Sequence, residues 1–276
     1  MATLETDHFL QVSDFRTHYQ RAGNGPPLIL IHGLGGSLRW WRPNIGAMAA
    51  IRTVYAVDLP GHGLSDKPPI SYGLPLARSF LLNFMATTGL ASADLMGHSA
   101  GGLIALDFAL SYPDRVGKLV LVDSAGLGRS VAAFLKLMTL PVVGELLARP
   151  RRIFLRGLLR RLFYDRSLAT PELLEELRQE RSAPGFRQAL LSALRSGVDI
   201  GGMKTRFSMA AKAPQLKAPT LILWGEEDRI LPVSHARAAA QLLRGSRLHI
   251  FPRCGHAPNL ERPEEFNQIV TDFLKT

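Results

Sequence analysis

The chain has 276 residues, 46% of them apolar and 20% charged, which suits a large buried core and excludes a disordered polymer. Its formal net charge of +10 serves solubility or points to anionic partners such as nucleic acid, membrane or acidic substrate. A single cysteine, Cys254, excludes an internal disulfide. No apolar run reaches the ~18 residues of a membrane span, and the polar start at residues 1–8 lacks the pattern of a secretory signal, so a cytoplasmic location is expected.

Residues 8–13 and 15–20 read as a hairpin bending near Ser13-Asp14. After a turn cluster, Leu28-Ile29-Leu30-Ile31 is a continuous apolar run, the pattern of a strand buried on both faces of a parallel sheet. It ends in His32-Gly33-Leu34-Gly35-Gly36, and a helix is expected from about Trp40 to Ala50. A strand over 53–57 leads into a turn-rich loop, Asp58 to Asp66, in which both aspartates can organise the backbone by local hydrogen bonds. A helix over 75–88 follows, then a short apolar run, the stretch Gly97-His98-Ser99-Ala100-Gly101-Gly102 and another helical pattern. Residues 118–123 read as a further buried strand. From about 127 to 212 the patterns are helical, with no convincing strand. Alternation resumes with a strand over 220–225, a helix over 234–243, a strand over 247–251 and a helix over 263–274. This is an α/β architecture: a mostly parallel central sheet with helices on both faces. Residues 1–126 and 213–276 form the core, and 127–212 a helical insert.

Gly97, Ser99 and Gly101 form a G-x-S-x-G pattern between a strand and a helix. A serine there is either a helix N-cap or a nucleophile on a sharp turn that small neighbours make room for. A serine nucleophile needs a base, and the base needs an orienting acid. Two later loops, each after a strand, supply them. Residues 225–232 carry Glu226, Glu227 and Asp228, and residues 253–259 carry His256. Asp123 also ends a strand and competes with Asp228 as the acid. Glu226 and Glu227 read as solvated charges, His62 and His235 as surface or loop residues, and Cys254 as a small buried residue near the base.

Five segments in this order resemble the α/β-hydrolase superfamily: His32 to Gly36, Asp58-Leu59-Pro60-Gly61-His62-Gly63-Leu64-Ser65, Gly97 to Gly102, Gly225 to Asp228, and Gly255-His256. The resemblance covers roughly 8–124 and 213–276. It implies Ser99 as nucleophile, His256 as general base and Asp228 as its acid. The backbone N–H groups of Leu34 and Ala100 would form the oxyanion hole. It implies structural roles for His32 and His98, a lid function for the insert, and no metal or cofactor. The expected reaction is hydrolysis of carboxylic esters or lactones through an acyl-enzyme. The alternatives are a C–C bond hydrolase acting on aromatic ring-cleavage products, or a ligand receptor or slow signalling hydrolase. The C–C hydrolases typically carry a tryptophan after the catalytic histidine, where this chain has Ala257. Gly33, Trp40, Ile230 and Leu231 are candidate substrate contacts; Trp40, with Trp41, also suits packing of the first helix, and Ile230 and Leu231 suit the core.

Within the insert, residues 149–166 hold seven arginines against one acid, Asp165. Leu155, Leu158, Leu159 and Leu162 share one helical face, and Arg152, Arg156 and Arg160 another. This reads as a lid helix with a solvated basic face, or as a contact for an anionic membrane or an acidic substrate. No nucleic-acid motif accompanies the charge. A glutamate-rich helix over 171–182 (Glu172, Glu175, Glu176, Glu180) would weaken the sharper readings by pairing with the arginines.

Overall fold

A computed structural model describes residues 6–207, 212, 215–243 and 245–276 of the chain. β1 (Thr6–Val12) and β2 (Phe15–Ala22) form the expected hairpin. The chain continues through β3 (Pro27–Ile31), α1 (Arg42–Ala49), β4 (Thr53–Val57), α2 (Leu74–Thr87), β5 (Ala93–His98), α3 (Ala100–Ser111) and β6 (Val116–Val122). Trp40 and Trp41 belong to a 3-10 turn ahead of α1, which Pro43 then opens from one of its first two positions.

Between β6 and the next core strand lie α4 (Ala133–Met138), α5 (Val143–Leu147), α6 (Arg152–Leu162), α7 (Pro171–Ser182) and α8 (Phe186–Gly197). This stretch is not wholly helical. β7 (Val198–Asp199) pairs antiparallel with β8 (Gly202–Met203). Two-residue strands carry no alternation to read, and the turn between them is held by the Asp199 carboxylate, which accepts the Gly201 N–H at 2.9 Å. The core resumes with β9 (Thr220–Gly225), α9 (Ser234–Leu242), β10 (Arg247–Phe251), α10 (Pro258–Glu261) and α11 (Pro263–Lys275). Residues 1–5, and residue 213 at the expected end of the insert, lie outside the described residues. Among those described, no helix is long and apolar enough to cross a membrane.

The large sheet has the order β1-β2-β4-β3-β5-β6-β9-β10. β2 is antiparallel to both neighbours, and the other pairs are parallel. Alternate strand residues feed two apolar layers. Ile29, Leu95 and Leu121 pack with Phe84 and Leu106 on one face. Leu28, Met96 and Val120 pack with Met48 and Phe266 on the other. Each such buried side chain contributes roughly 1.5–3 kcal/mol relative to exposure. A third cluster joins Leu155, Leu159 and Phe163 to Leu174, Leu177 and Ala257, so α6 and α7 pack on the residue after His256.

The register brings the strand ends to one edge. Ile31 lies opposite both Val57 and Gly97, Val122 opposite His98 and Leu223, and Phe251 opposite Gly225. The loops that leave these strands therefore converge, as open α/β sheets require at their carboxyl edge.

Candidate active site

Ser99 stands between β5 and α3 with φ 54° and ψ −117°, a backbone state that costs a non-glycine residue energy. Three accepted hydrogen bonds pin its carbonyl, from the N–H groups of Gly102 (3.0 Å), Leu103 (3.3 Å) and Ala125 (2.9 Å). The turn is too tight for side chains on its flanks. A Cβ on Gly97 would fall 2.3 Å from the Gly101 carbonyl oxygen, and one on Gly101 would fall 2.2 Å from that of Ile31. The Ser99 hydroxyl makes no cap to α3, so the N-cap reading fails. It lies instead 3.0 Å from His256 Nε2.

His256 Nδ1 is 2.7 Å from Asp228 Oδ2. With Nδ1 donating to the carboxylate, Nε2 is left as the acceptor for the Ser99 proton. The other carboxylate oxygen, Oδ1, accepts the N–H groups of Ile230 (2.7 Å) and Leu231 (3.0 Å). The loop that supplies the acid thus also orients it. Asp123 does not take this place. It directly follows β6 with φ 41°, is fully buried, and accepts the Gly225 N–H at 3.0 Å. Ligand-capable atoms of Asp123, Asp228 and His256 lie within 4.8 Å of one another. Asp228 and His256 spend theirs on each other and on the N–H groups above, which leaves Asp123 Oδ2 alone without a partner. Burial, and then the charge of Asp228, push the Asp123 carboxyl well above the usual carboxylate range.

His98 Nε2 donates to the His256 carbonyl at 2.7 Å. Burial and the neighbouring His256 pull its pKa well below the ordinary value, so the ring works neutral, as a fastener for the His256 loop. In His32, Nδ1 donates to the Gly33 carbonyl (2.8 Å) while Nε2 accepts the Leu59 N–H (3.1 Å). It ties the loop after β3 to the loop after β4. Asp58 anchors that second loop, accepting from Leu38 (2.7 Å), Leu64 (2.8 Å) and His18 (2.7 Å), and Asp66 accepts the Arg16 N–H at 2.8 Å.

A chamber of about 520 Å³ opens beside Ser99. Gly33, Leu34, Trp40, Ala100, Ile230, Leu231 and His256 all line it, so the proposed contact residues share one space. Ala100 is the first residue of α3, and its N–H has no intrahelical acceptor. Much of the remaining wall is apolar, and α4, α6 and α8 contribute to it with Phe134, Phe154, Leu158 and Leu190. Trp40 combines both expected roles: it faces the chamber and stacks on Phe163 at 6.4 Å, while Trp41 is fully buried.

A family profile described as alpha/beta hydrolase fold matches residues 26–263. The chain belongs to the α/β-hydrolase fold family. This α/β-hydrolase is 34% identical over 272 residues to a 2-hydroxy-6-oxo-6-phenylhexa-2,4-dienoate hydrolase of Comamonas testosteroni, covering 96% of this chain and 93% of that one. Its fold is similar to that of a meta-cleavage product hydrolase from Pseudomonas fluorescens (TM-score 0.85, 28% identity, 97% of each chain). It is also similar to that of a membrane phospholipase A, a bacterial virulence factor (TM-score 0.83, 31% identity, 98% of this chain and 86% of that one).

Several residues of this α/β-hydrolase take places that the sequence does not announce. His62 is not a surface residue. It lines the chamber, packed 5.1 Å from His32 and edge-on to Phe186 at 6.0 Å. Its Nδ1 bonds the Pro60 carbonyl, Nε2 has no partner, and burial, then His32, pulls its pKa down to about 3. His235 is buried too, its ring 6.5 Å from that of Trp224. Arg181, on α7, reaches into the chamber, where Nη2 donates to the Gly35 carbonyl at 3.3 Å and Nε is buried without a partner. No carboxylate among the described residues pairs with it, and burial lowers its pKa to about 10. Glu261 fastens the histidine loop to the end of α6. Its carboxylate accepts the N–H groups of Gly255 (2.6 Å), Tyr164 (2.8 Å) and Asp165 (3.1 Å), and the His256 N–H donates to the Leu162 carbonyl at 2.7 Å. Cys254 is buried, and burial raises its thiol pKa, which makes it unsuited as a nucleophile. Glu226 pairs with Arg237, whereas Glu227 accepts the Cys254 N–H at 2.9 Å and so is structural rather than free.

Proposed function

We propose that this α/β-hydrolase is a serine hydrolase that cleaves the C–C bond next to a keto group in carboxylated dienoates of the ring-cleavage class. Ser99 attacks the carbonyl as His256 takes its proton, and Asp228 stabilises the imidazolium that forms. The Leu34 and Ala100 N–H groups receive the developing oxyanion; one such donor is worth roughly 3–4 kcal/mol of barrier. The C–C bond then breaks, its electron pair passes into the conjugated leaving group, and His256 returns the proton. Water, deprotonated by the same imidazole, releases the acyl group from Ser99 as a carboxylic acid. The carrying observation is the Ser99–His256–Asp228 chain in a protein that matches a dienoate hydrolase along nearly its whole length. The buried guanidinium of Arg181, without a carboxylate partner among the described residues in a mostly apolar chamber, supports it, because such substrates carry a carboxylate.

Hydrolysis of carboxylic esters or lactones, the reading the sequence puts first, is now second. Ala257 after His256 favours it, as does the likeness to a phospholipase. A panel of ring-fission dienoates, p-nitrophenyl esters and lactones tests both. Dienoate turnover with the highest kcat/KM is expected, and turnover of esters alone reverses the order. A protein that fluorophosphonate does not label is not a serine hydrolase.

A further inference from the structure

The chemistry just described makes no use of the arginines of α6 and the turn before it. Arg149, Arg151, Arg152, Arg156 and Arg160 are exposed, and no acid occurs between Leu146 and Tyr164. The glutamates of α7 neutralise little of this charge. Glu175 reaches Arg152 at 3.2 Å but Arg178 at 2.6 Å, Glu176 faces Arg42, and Glu180 turns to Ser37 and Arg39. Arg149, Arg151, Arg156 and Arg160 have no carboxylate partner among the described residues.

Apolar groups are exposed on the same stretch. Leu137, Leu140, Val142, Val143, Leu146 and Ile153 are six of the thirteen large apolar side chains exposed among the described residues. Scattered singly they would mean nothing, but clustering marks a contact surface. Val142 is 70% exposed and Ile153 76%. Val142 sits at the apex of a γ-turn, φ 67° and ψ −53°, closed by the Val143 N–H to the Pro141 carbonyl at 2.7 Å. A β-branched residue is strained there, so the turn holds a valine outward at a cost.

The exposed apolar stretch reaches the chamber, and helical spacing sets the arginines beside it. Leu137 and Ile153 are exposed and also line it. The Arg161 guanidinium lies 5.9 Å from the Phe134 ring and links α6 to α4. On α6, helical spacing sets Ile153 beside Arg156, and Arg156 beside Arg160.

We propose that this surface docks on an anionic lipid bilayer. The arginines meet the headgroups, Val142 and Ile153 enter the acyl boundary, and the chamber opens toward substrate dissolved in the membrane. A soluble anion would need the arginines but would leave the exposed apolar residues without a role. The docking is independent of which bond Ser99 attacks, because it is read as binding.

The test is flotation of the full chain with vesicles of phosphatidylcholine alone and with phosphatidylglycerol added, at low and high salt. Binding is expected only to the mixed vesicles, weakening as salt rises. Arg156→Gln and Arg160→Gln should each weaken it about fivefold. Val142→Asp should weaken it at least as much, in a fold that tolerates Asp at positive φ better than valine. Hydrolysis of a short soluble ester should stay at the wild-type level in all three variants. The proposal fails if the mixed vesicles are not bound, if neutral vesicles bind equally, or if binding is insensitive to salt. It also fails if Val142→Asp leaves binding unchanged, since the arginines would then be a field for soluble anions.

Discussion

The carboxyl edge of the sheet and the helices between β6 and β9 wall the same chamber from opposite sides, under different physical demands. At the sheet edge Ser99 and Asp123 hold positive φ, His256 and Asp123 are buried, and two backbone donors fix the one oxygen of Asp228 that His256 does not use. Strain and desolvation there are tolerated because strands on both sides over-determine the geometry. The helical side is mostly apolar inward and basic outward, and its buried inward charge, Arg181, lacks a carboxylate partner among the described residues. In the proposed reaction the first region does the chemistry and the second holds the substrate.

Mutations should separate the two. Ser99→Ala should lower kcat by about 10⁶-fold and abolish fluorophosphonate labelling, while leaving binding of a product carboxylate intact. Labelling that survived would move the nucleophile elsewhere. Asp228→Asn should cost about 10⁴-fold in kcat by destabilising the useful imidazole tautomer. Asp123→Asn should cost far less, and a steady-state comparison in which Asp123→Asn was the crippling change would reverse the roles of the two acids. On the helical side, Arg181→Met should raise KM for a carboxylated substrate by about 10- to 100-fold, the worth of a charged hydrogen bond, with kcat nearly kept and neutral esters unaffected. Equal losses on charged and neutral substrates would assign Arg181 to structure alone. The smallest effect concerns stability. Asp123 keeps its proton in the folded state at pH values where the unfolded chain releases it. Its contribution is complete below the ordinary carboxylate pKa of about 4 and is lost as pH rises toward the folded value. Asp123→Asn should therefore raise the melting temperature more at neutral than at acid pH. A gain that is flat with pH would show that the carboxyl is already ionised.

The reactive side was the legible one. Its central strands are largely apolar runs, and Ser99, Asp228 and His256 each lie in a segment that leaves a strand, so local pattern and chain order carry most of the reading. Between Asp123 and Asp228 local pattern alone does not choose, since each lies in a loop that leaves a strand, and the choice of Asp228 rests on the resemblance; in the structure it is Asp228 that His256 reaches. On the helical side, position in the chain says little about position in space. Arg181 reads as an ordinary cation in the last turn of a glutamate-rich helix, and only its approach to Gly35 places it in the chamber. His62 reads as a polar loop residue because Phe186, which covers it, comes from a distant helix. β7 and β8 are shorter than any repeat, and no residue preference foretells a valine at the apex of a γ-turn.

Glu261 and the His256–Leu162 bond give the two sides a mechanical relation. They clamp the last turn of α6 and the residues after it to the loop that carries the base, and Ala257 packs into the same cluster. Lifting that end of the helical layer would drag His256 away from Ser99, so the last turn of α6 and the base share one register.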